Sequence, residues 1–492
     1  VQRGHLRGGG SAAAGTTVSA AGAARDLDGF AGGAEAVTLN GTGISSGGAL
    51  LNGSSTAASL SGAITLGSAS TIMSSGSGGL TLTGGLTLGA NTVTFAGAYA
   101  TTVSTTKIGS SGGGVTKSDA GTLTLSAAND YTGATTINAG VLAAAYNTAL
   151  GTTAGGTTVA ASGAALQLSG GITIGAEALA LNGTGVSGGG ALRNTSGNNT
   201  YQGLITLGSI SSIRSDGGTL TLDPASGSAI TGTYNLTLGG VGNITVNDPI
   251  AIGTGTLTKD GSGTLTLAGV NTYSGATAIN VGTAVVTGSA ASSAFTVAAG
   301  ATLKGSGTVG GLTVAGTVDP TNAAAATLSC STLSLSSGGA MRVDLMNVAG
   351  TAGAQWDLVS ATAGAVSFSS GTFTINLYGD ATGFNAQQGY SWKIMGGTSA
   401  ASAGGTFSVA TNGTFLTATD GGSFSVVASG NDINLVYTPR LPAVPAAFDA
   451  AVASVNSMTL TFTTNATGDD LVIVYNTTGD GNFTTPTGTA PA

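Results

Sequence analysis

The chain has little charge. Asp, Glu, Lys and Arg make up 7% of its 492 residues, against roughly a quarter in an average globular protein. Lys and Arg number 12, do not cluster, and leave a net charge of −8. A nucleic-acid partner needs a basic patch, so none is expected, and an acidic, lysine-poor surface has no pull toward anionic membranes. Only Glu35 and Glu177 are glutamates among the 20 acidic residues. Glu and Lys favour helices while Asp and Asn favour turns, so an all-β chain follows. The single cysteine, Cys330, excludes an intrachain disulfide; in TLSCSTLSL it reads as a small buried hydrophobe. The single histidine, His5, would have to serve any Ser-His-Asp or Cys-His centre. In VQRGHLRGGG it reads instead as a disordered tail residue. No run approaches the 18 apolar residues of a membrane helix. The first residues lack the apolar core of a signal peptide, and both ends read as cuts in a longer product. Proline, at 8 residues, excludes collagen-like and polyproline chains. Aromatics, at 5%, point to a thin core.

What is abundant is glycine, 87 residues, about two and a half times ordinary usage, with Ala, Thr and Ser. The order of these residues is not random. KSDAGTLTLSAANDYTGATTINAG (117–140) returns as KDGSGTLTLAGVNTYSGATAINVG (259–282), an offset of 142 residues. AVTLNGTGISSGGALLN (36–52) returns at the same offset as ALALNGTGVSGGGALRN (178–194). Self-similarity over this length marks a chain built by stacking. Segments such as LTLT, TTIN and NITV alternate Leu, Ile or Val with Thr and stop at Gly, Asn or Asp, which reads as strands of three to five residues. Strands this short need neighbours above and below. The expected fold is a right-handed parallel β-helix, or β-solenoid, with coils of about 20 residues, roughly 20 coils and a length near 100 Å. Each 142-residue block should hold about seven such coils.

The organisation follows. Residues 1–35 form an irregular N-terminal segment or first coils, in which ARDLDGFAGGA (24–34) breaks the match to the second copy, either by local divergence or by a short reading-frame error. Residues 36–150 and 151–292 are the two long repeats. Residues 293–440 bring larger side chains and read as last coils and a β-rich C-terminal cap that hides the open sheet edge. Residues 441–446 are a Pro-punctuated linker. Residues 447–492 read as a partial β-sandwich.

The doubled sentence resembles the autotransporter-associated β-strand repeat, also called the passenger-associated transport repeat, whose pattern is roughly GxGTLTLxGxNTYxGxTxIxxGxL. The matching positions are Gly121, Leu123, Leu125, Asn129, Tyr131, Gly133, Ile137 and Gly140 in the first copy. In the second they are Gly263, Leu265, Leu267, Asn271, Tyr273, Gly275, Ile279 and Gly282. Departures are Asp130 and Ala127 in the first copy and Ala284 in the second. The resemblance implies export, an extracellular or bacterial cell-surface place and an adhesive rod, commonly followed by a translocating barrel. Residues 447–492 instead are similar to the start of a fibronectin type III or immunoglobulin-like domain.

Chemistry is sparse. Asp119, Asp216, Asp223, Asp248 and Asp260 fall at turns and read as turn caps, and Asp357 as fixing a cap turn. Asp469, Asp470 and Asp480 resemble a calcium loop only weakly. Asn-x-Ser/Thr triplets at Asn40, Asn182, Asn235, Asn243 and Asn476 follow from abundant Thr. No catalytic residue, cofactor or metal is expected. The reading is a secreted or surface structural and adhesive rod that displays Thr/Ser/Asn-rich faces to glycans or other surfaces. The alternatives are a self-assembling extracellular fibre or coat protein (a homo-oligomer or filament) and, less favoured, a carbohydrate-active β-helix enzyme.

Overall fold

A Leu–Thr–Leu alternation puts its apolar side chains on one side of the strand, and here that side faces an interior no wider than one turn of chain. The computed structural model describes residues 5–7, 15–19, 22–109, 111–321, 324–379, 382–412, 419–440, 447–454 and 457–463. In the strand Thr122–Leu125, Leu123 and Leu125 are fully buried while the threonines lie half-exposed between them. Leu123 stacks on Thr101 below and Leu142 above. Columns of this kind run through a parallel β-solenoid of about 15 turns. Between successive turns the backbone hydrogen bonds are inter-coil, so each coil is stabilised by its neighbours rather than by itself. Burying one Leu contributes about 1.5–3 kcal/mol, and nearly every strand places one or two there.

One turn shows the cross-section. Ile64 lies on a first face, Ile72 on a second and Leu80–Leu82 on a third; Leu86 then sits over Ile64. The strands Ile64–Ser74 and Ile205–Ser215 are 11 residues long and turn a corner without a break, pairing on two faces at once. They are longer than the alternation suggested; the former joins the first and second faces and the latter the second and third, all within one 32-stranded sheet. Leu86 to Ile108 is one turn, a step of 22 residues. With longer coils there are fewer of them, so the rod is about 70 Å long rather than 100 Å.

The duplicated block is not a whole number of turns. From Gly41, six parallel pairings lead through Ser70, Val93, Val115, Thr135 and Thr157 to Leu179. Leu179 is the counterpart of Val37, yet Val37 stands one face earlier, in the column Val37, Ile64, Leu86, Ile108. The block is therefore six turns and one face, not seven coils. Ile250, the counterpart of Ile108, stands in the column of Leu179, Ile205 and Ile230. The second copy is thus turned about a third of the way around the rod axis relative to the first.

At the N-terminal end, His5–Arg7 pairs with Ala24–Asp26, which pairs with Leu50–Leu51. His5 is therefore in a strand, not a disordered tail. The divergent ARDLDGFAGGA follows the coil path, with Leu27 buried and Arg25 held in an ion pair with Glu35 at 3.0 Å. Toward the other end, parallel stacking continues through Val318, Met341 and Ile375 to Val409. Then Tyr390–Gly396 pairs antiparallel with Asp432–Thr438, which pairs with Ser423–Ser429. An aromatic cluster holds this closure: Trp392 stacks on Tyr390 at 5.1 Å, and Tyr437 packs edge-on to Phe384 at 4.8 Å. Ala447–Ser454 and Ser457–Thr463 form an antiparallel hairpin. Of the fibronectin- or immunoglobulin-like reading of residues 447–492 only this strand pair is described; residues 464–492, with the calcium-loop aspartates and Asn476, and the linker 441–446 lie outside the described residues. No helix among the described residues is long and apolar enough to cross a membrane.

Candidate functional site

The repeat motif is a device for joining coils. Asn129 is buried; its Oδ1 accepts from Ile108 N at 2.8 Å in the coil below, and its Nδ2 donates to Ala149 O at 2.7 Å in the coil above. Asn271 repeats the arrangement, accepting from Ile250 N at 3.0 Å and donating to Ser289 O at 3.0 Å. A buried polar side chain is tolerated when each of its groups is bonded, and here it closes backbone groups where the strand ladder is interrupted. Tyr131 and Tyr273 are fully buried, each with its hydroxyl 2.7 Å from a threonine, Thr135 and Thr277. The thin core does admit rings, one per motif. Burial pushes the Tyr131 hydroxyl well above its ordinary range and Tyr273 up to about 12, with the threonine bonds opposing. Gly133 and Gly275 have no room for a Cβ, which would stand 2.5 Å from Gly113 O and 2.1 Å from Gly255 O. Leu123, Leu125, Ile137, Leu265, Leu267 and Ile279 are core. Within each copy the leucines, isoleucine, asparagine and tyrosine of the motif are buried together.

Sequence reasoning passed over the lysines that open each copy. Lys117 and Lys259 are 2% exposed and stand in inward columns, directly beneath Ile137 and Ile279. Lys259 Nζ donates to the carbonyls of Asp260 (3.0 Å), Gly261 (2.6 Å) and Val281 (3.0 Å), tying a corner loop to the next coil. Lys117 does the same with Ser118, Asp119 and Ala139. Burial lowers the Lys117 ammonium to about 8, with the Asp119 charge opposing. The signal was available: in VTK and LTK the lysine occupies the place of an inward apolar residue.

Of the turn aspartates, Asp216 pairs with Arg193 and Asp223 accepts from Asn247 Nδ2 at 3.0 Å. Asp119 has φ 61° and accepts from Gly97 N at 2.8 Å; Asp260 accepts from Gly261 N at 2.8 Å and pairs with Arg214 at 3.2 Å. The asparagines of the Asn-x-Thr triplets are inter-coil ties: Asn182 Nδ2 donates to Val159 O at 2.9 Å, and Asn243 Oδ1 accepts from Thr264 N at 3.0 Å. Cys330 is fully buried, and burial pushes its thiol up to about 12.

Two acidic arrangements go beyond this. Asp319, Asp344 and Asp357 are all buried, with carboxylate oxygens within 4.8 Å of one another. Sequence distance hid this group. Lys304 pairs with Asp319 at 3.1 Å, and Arg342 grips Asp344 through Nε and Nη2 at 2.9 and 2.8 Å. Both oxygens of Asp357 accept backbone N–H bonds, from Ala326 and Asp344, each at 2.9 Å. Burial raises the Asp357 carboxyl to about 8, with its two backbone N–H bonds opposing. The group ties the last coils to the cap. The second arrangement is the glutamate pair. Glu35 is bonded to Thr16 and ion-paired with Arg25. Its counterpart Glu177 accepts from Thr157 at 2.9 Å, but Leu166 stands where the first copy has Arg25. With no cation to offset burial, the Glu177 carboxyl is pushed up to about 7.

Comparison with known proteins agrees with the motif. The passenger-associated-transport-repeat family matches residues 115–144 and 257–283. The chain is also 38% identical over 168 residues to the adhesin BmaC autotransporter of Brucella suis biovar 1, over 34% of this chain and 4% of that protein. The two copies of the doubled sentence are passenger-associated transport repeats, carried on a parallel β-solenoid.

Proposed function

We propose that this chain is a stretch of a secreted, cell-surface adhesive rod, displaying its Thr/Ser/Asn-rich faces to glycans or other surfaces and carrying no catalytic centre. The observation that carries this reading is what was duplicated. The residues common to both copies are inter-coil ties, buried rings and close-packed glycines, so copying added length and outward faces. Passenger repeats and likeness to an autotransporter adhesin support an extracellular place. The chain aligns with a small part of that relative, so its adhesive role here is a proposal about this segment. Turning each copy by one face spreads equivalent surfaces around the rod, which suits contact from several directions.

The test is adhesion of beads coated with the whole chain to glycan-coated and host-cell surfaces. Retention above that of beads bearing the heat-unfolded chain supports the reading; equal retention on every surface sinks it. The fibre alternative meets an obstacle, because the antiparallel strands Tyr390–Gly396, Asp432–Thr438 and Ser423–Ser429 cover the last coil. Electron microscopy should accordingly show single short rods rather than extended filaments. Incubation with a polysaccharide panel should release no reducing or unsaturated ends.

A further inference from the structure

Along the first face of the first copy, two adjoining hollows of about 470 and 360 Å³ share Asp130 in their walls. The first runs from Ala63 past Leu86 and Gly109; the second from Asp130 past Thr152 to Glu177. The column beneath them can be followed turn by turn: Ile64 to Leu86 to Ile108 by strand pairing, Ile108 to Asp130 and Tyr131 to Thr152 by backbone hydrogen bonds. Gly175 then lies over Thr153. The hollows therefore form one groove crossing six turns, about 24 Å long at the inter-coil spacing of a parallel sheet.

Its walls carry polar groups without full partners. Glu177 is 3% exposed and lines the groove, one oxygen bonded to Thr157 and no Lys, Arg or His paired with it among the described residues. The buried Thr152 Oγ1 has no hydrogen-bond partner among the described residues. Exposed Asn147 adds an amide whose Oδ1 accepts from Thr173 N at 2.9 Å, and Tyr146, exposed at 45%, immediately precedes it. Lys107 and Asp130 pair across neighbouring turns at the junction of the two hollows. Asn129 recurs as Asn271, but the rest was not copied. At the 142-residue offset, Pro249 replaces Lys107, Thr272 replaces Asp130 and Ser289 replaces Asn147. Ser293, replacing Gly151, is fully buried and bonds Thr277 and Gly275 O. The second copy is also turned by one face, so it could not have prolonged the groove.

We propose that this groove is a binding site for a neutral, extended oligosaccharide lying along the rod. The inference rests on the adhesive reading and assigns it a place. A shallow, open trough of carboxylates, amides and hydroxyls over an apolar floor (Leu86, Leu150, Ile174) offers what sugars need. Its polar groups pair with hydroxyls. Above about pH 7, where Glu177 is ionised, two carboxylates against one lysine leave the trough net negative. Uronates and other anionic sugars are therefore repelled.

Calorimetry with the whole chain tests it, using cellohexaose, maltohexaose and chitohexaose, with hexagalacturonate and spermidine as charged controls. At least one neutral hexamer should bind. Affinity should fall about tenfold in Asp130→Ala/Asn147→Ala, as expected for losing bonds to a charged and a polar group. It should be unchanged in Thr272→Ala/Ser289→Ala, the same positions of the second copy. Thr153→Trp, on the exposed wall, should block binding without entering the core. Binding of none of the three, tighter binding of galacturonate or spermidine, or equal losses in both double variants would each overturn the proposal. Beads bearing Thr153→Trp separate the two readings. If they still adhere, the groove is wrong and the adhesive rod stands. If the unmodified chain does not adhere but binds a hexamer, the rod reading falls and the groove stands.

Discussion

Asn129→Ala tests the idea that the motif asparagine is a tie between coils. The substitution removes an acceptor from Ile108 N at 2.8 Å and a donor to Ala149 O at 2.7 Å. Asn129 is 2% exposed, so water does not readily replace it. Each orphaned backbone group costs about 1–2 kcal/mol, giving about 2–4 kcal/mol for the pair. In a stacked chain that cost is local, felt by the coils on either side and not spread over the rod. The assay is therefore native-state hydrogen exchange, read at Ile108 and at a distant amide. Exchange at Ile108 should accelerate by roughly 30-fold to several hundred-fold, the same energy expressed as an equilibrium constant. Amides near Leu312 should keep their rate. Asn129→Asp should be at least as damaging, because it faces a carbonyl with a carboxylate where a donor stood. An Ile108 rate unchanged within twofold would refute the tie. A uniform acceleration along the chain would refute the locality.

Gly133→Ala and Gly275→Ala should each lower the urea midpoint by the equivalent of about 1–3 kcal/mol, since the new Cβ meets unyielding backbone at 2.5 and 2.1 Å; unchanged midpoints would contradict that packing. Arg25→Leu should cost about 3–5 kcal/mol by stranding a buried carboxylate, and Arg25→Leu/Glu35→Gln should recover much of it in denaturant titrations, because the ion pair at 3.0 Å is buried on both sides. Glu177 titrates at about 7 in the folded chain against an ordinary 4.5, so the folded state holds the extra proton between those values. Its contribution to stability is whole below about pH 4.5 and is lost as pH rises through 7. Glu177→Gln should accordingly melt higher than the parent at pH 8 and equally at pH 4, and a gap that does not change with pH would contradict the assignment. Cys330, buried and with a thiol pushed up to about 12, should react with a thiol reagent only after unfolding, so rapid labelling of the native chain would place it elsewhere.

Much of the fold is legible locally. In GTLTL the alternation assigns Leu123 and Leu125 to the interior and Thr122 and Thr124 to the flank, and the structure keeps that assignment. Glycines at 133 and 275 are informative for the same reason: a position that rejects a Cβ recurs at the same place in the motif. Lys117 and Lys259 were harder, because a lysine in an inward place reads as an exception until three carbonyls are seen converging on it. The length of a turn was misjudged, since corner loops contribute residues without any periodic signal, and 22 residues per turn in place of 20 changes the number of turns and the length of the rod.

The sequence by itself determined that the chain is all-β, that it stacks, and that its doubled sentence is a passenger-associated transport repeat. Those properties live in period-two alternation and in a motif of contiguous residues. Only the tertiary structure decided that the second copy is turned by one face. That phase is the summed length of six turns and their corners, and a difference of a few residues moves every later side chain around the axis. Only the tertiary structure, likewise, brought Asp319, Asp344 and Asp357 within 4.8 Å and set Asp130 and Glu177 along one groove. These residues are separated by a turn or more of chain. Their proximity follows from stacking, which no local pattern encodes.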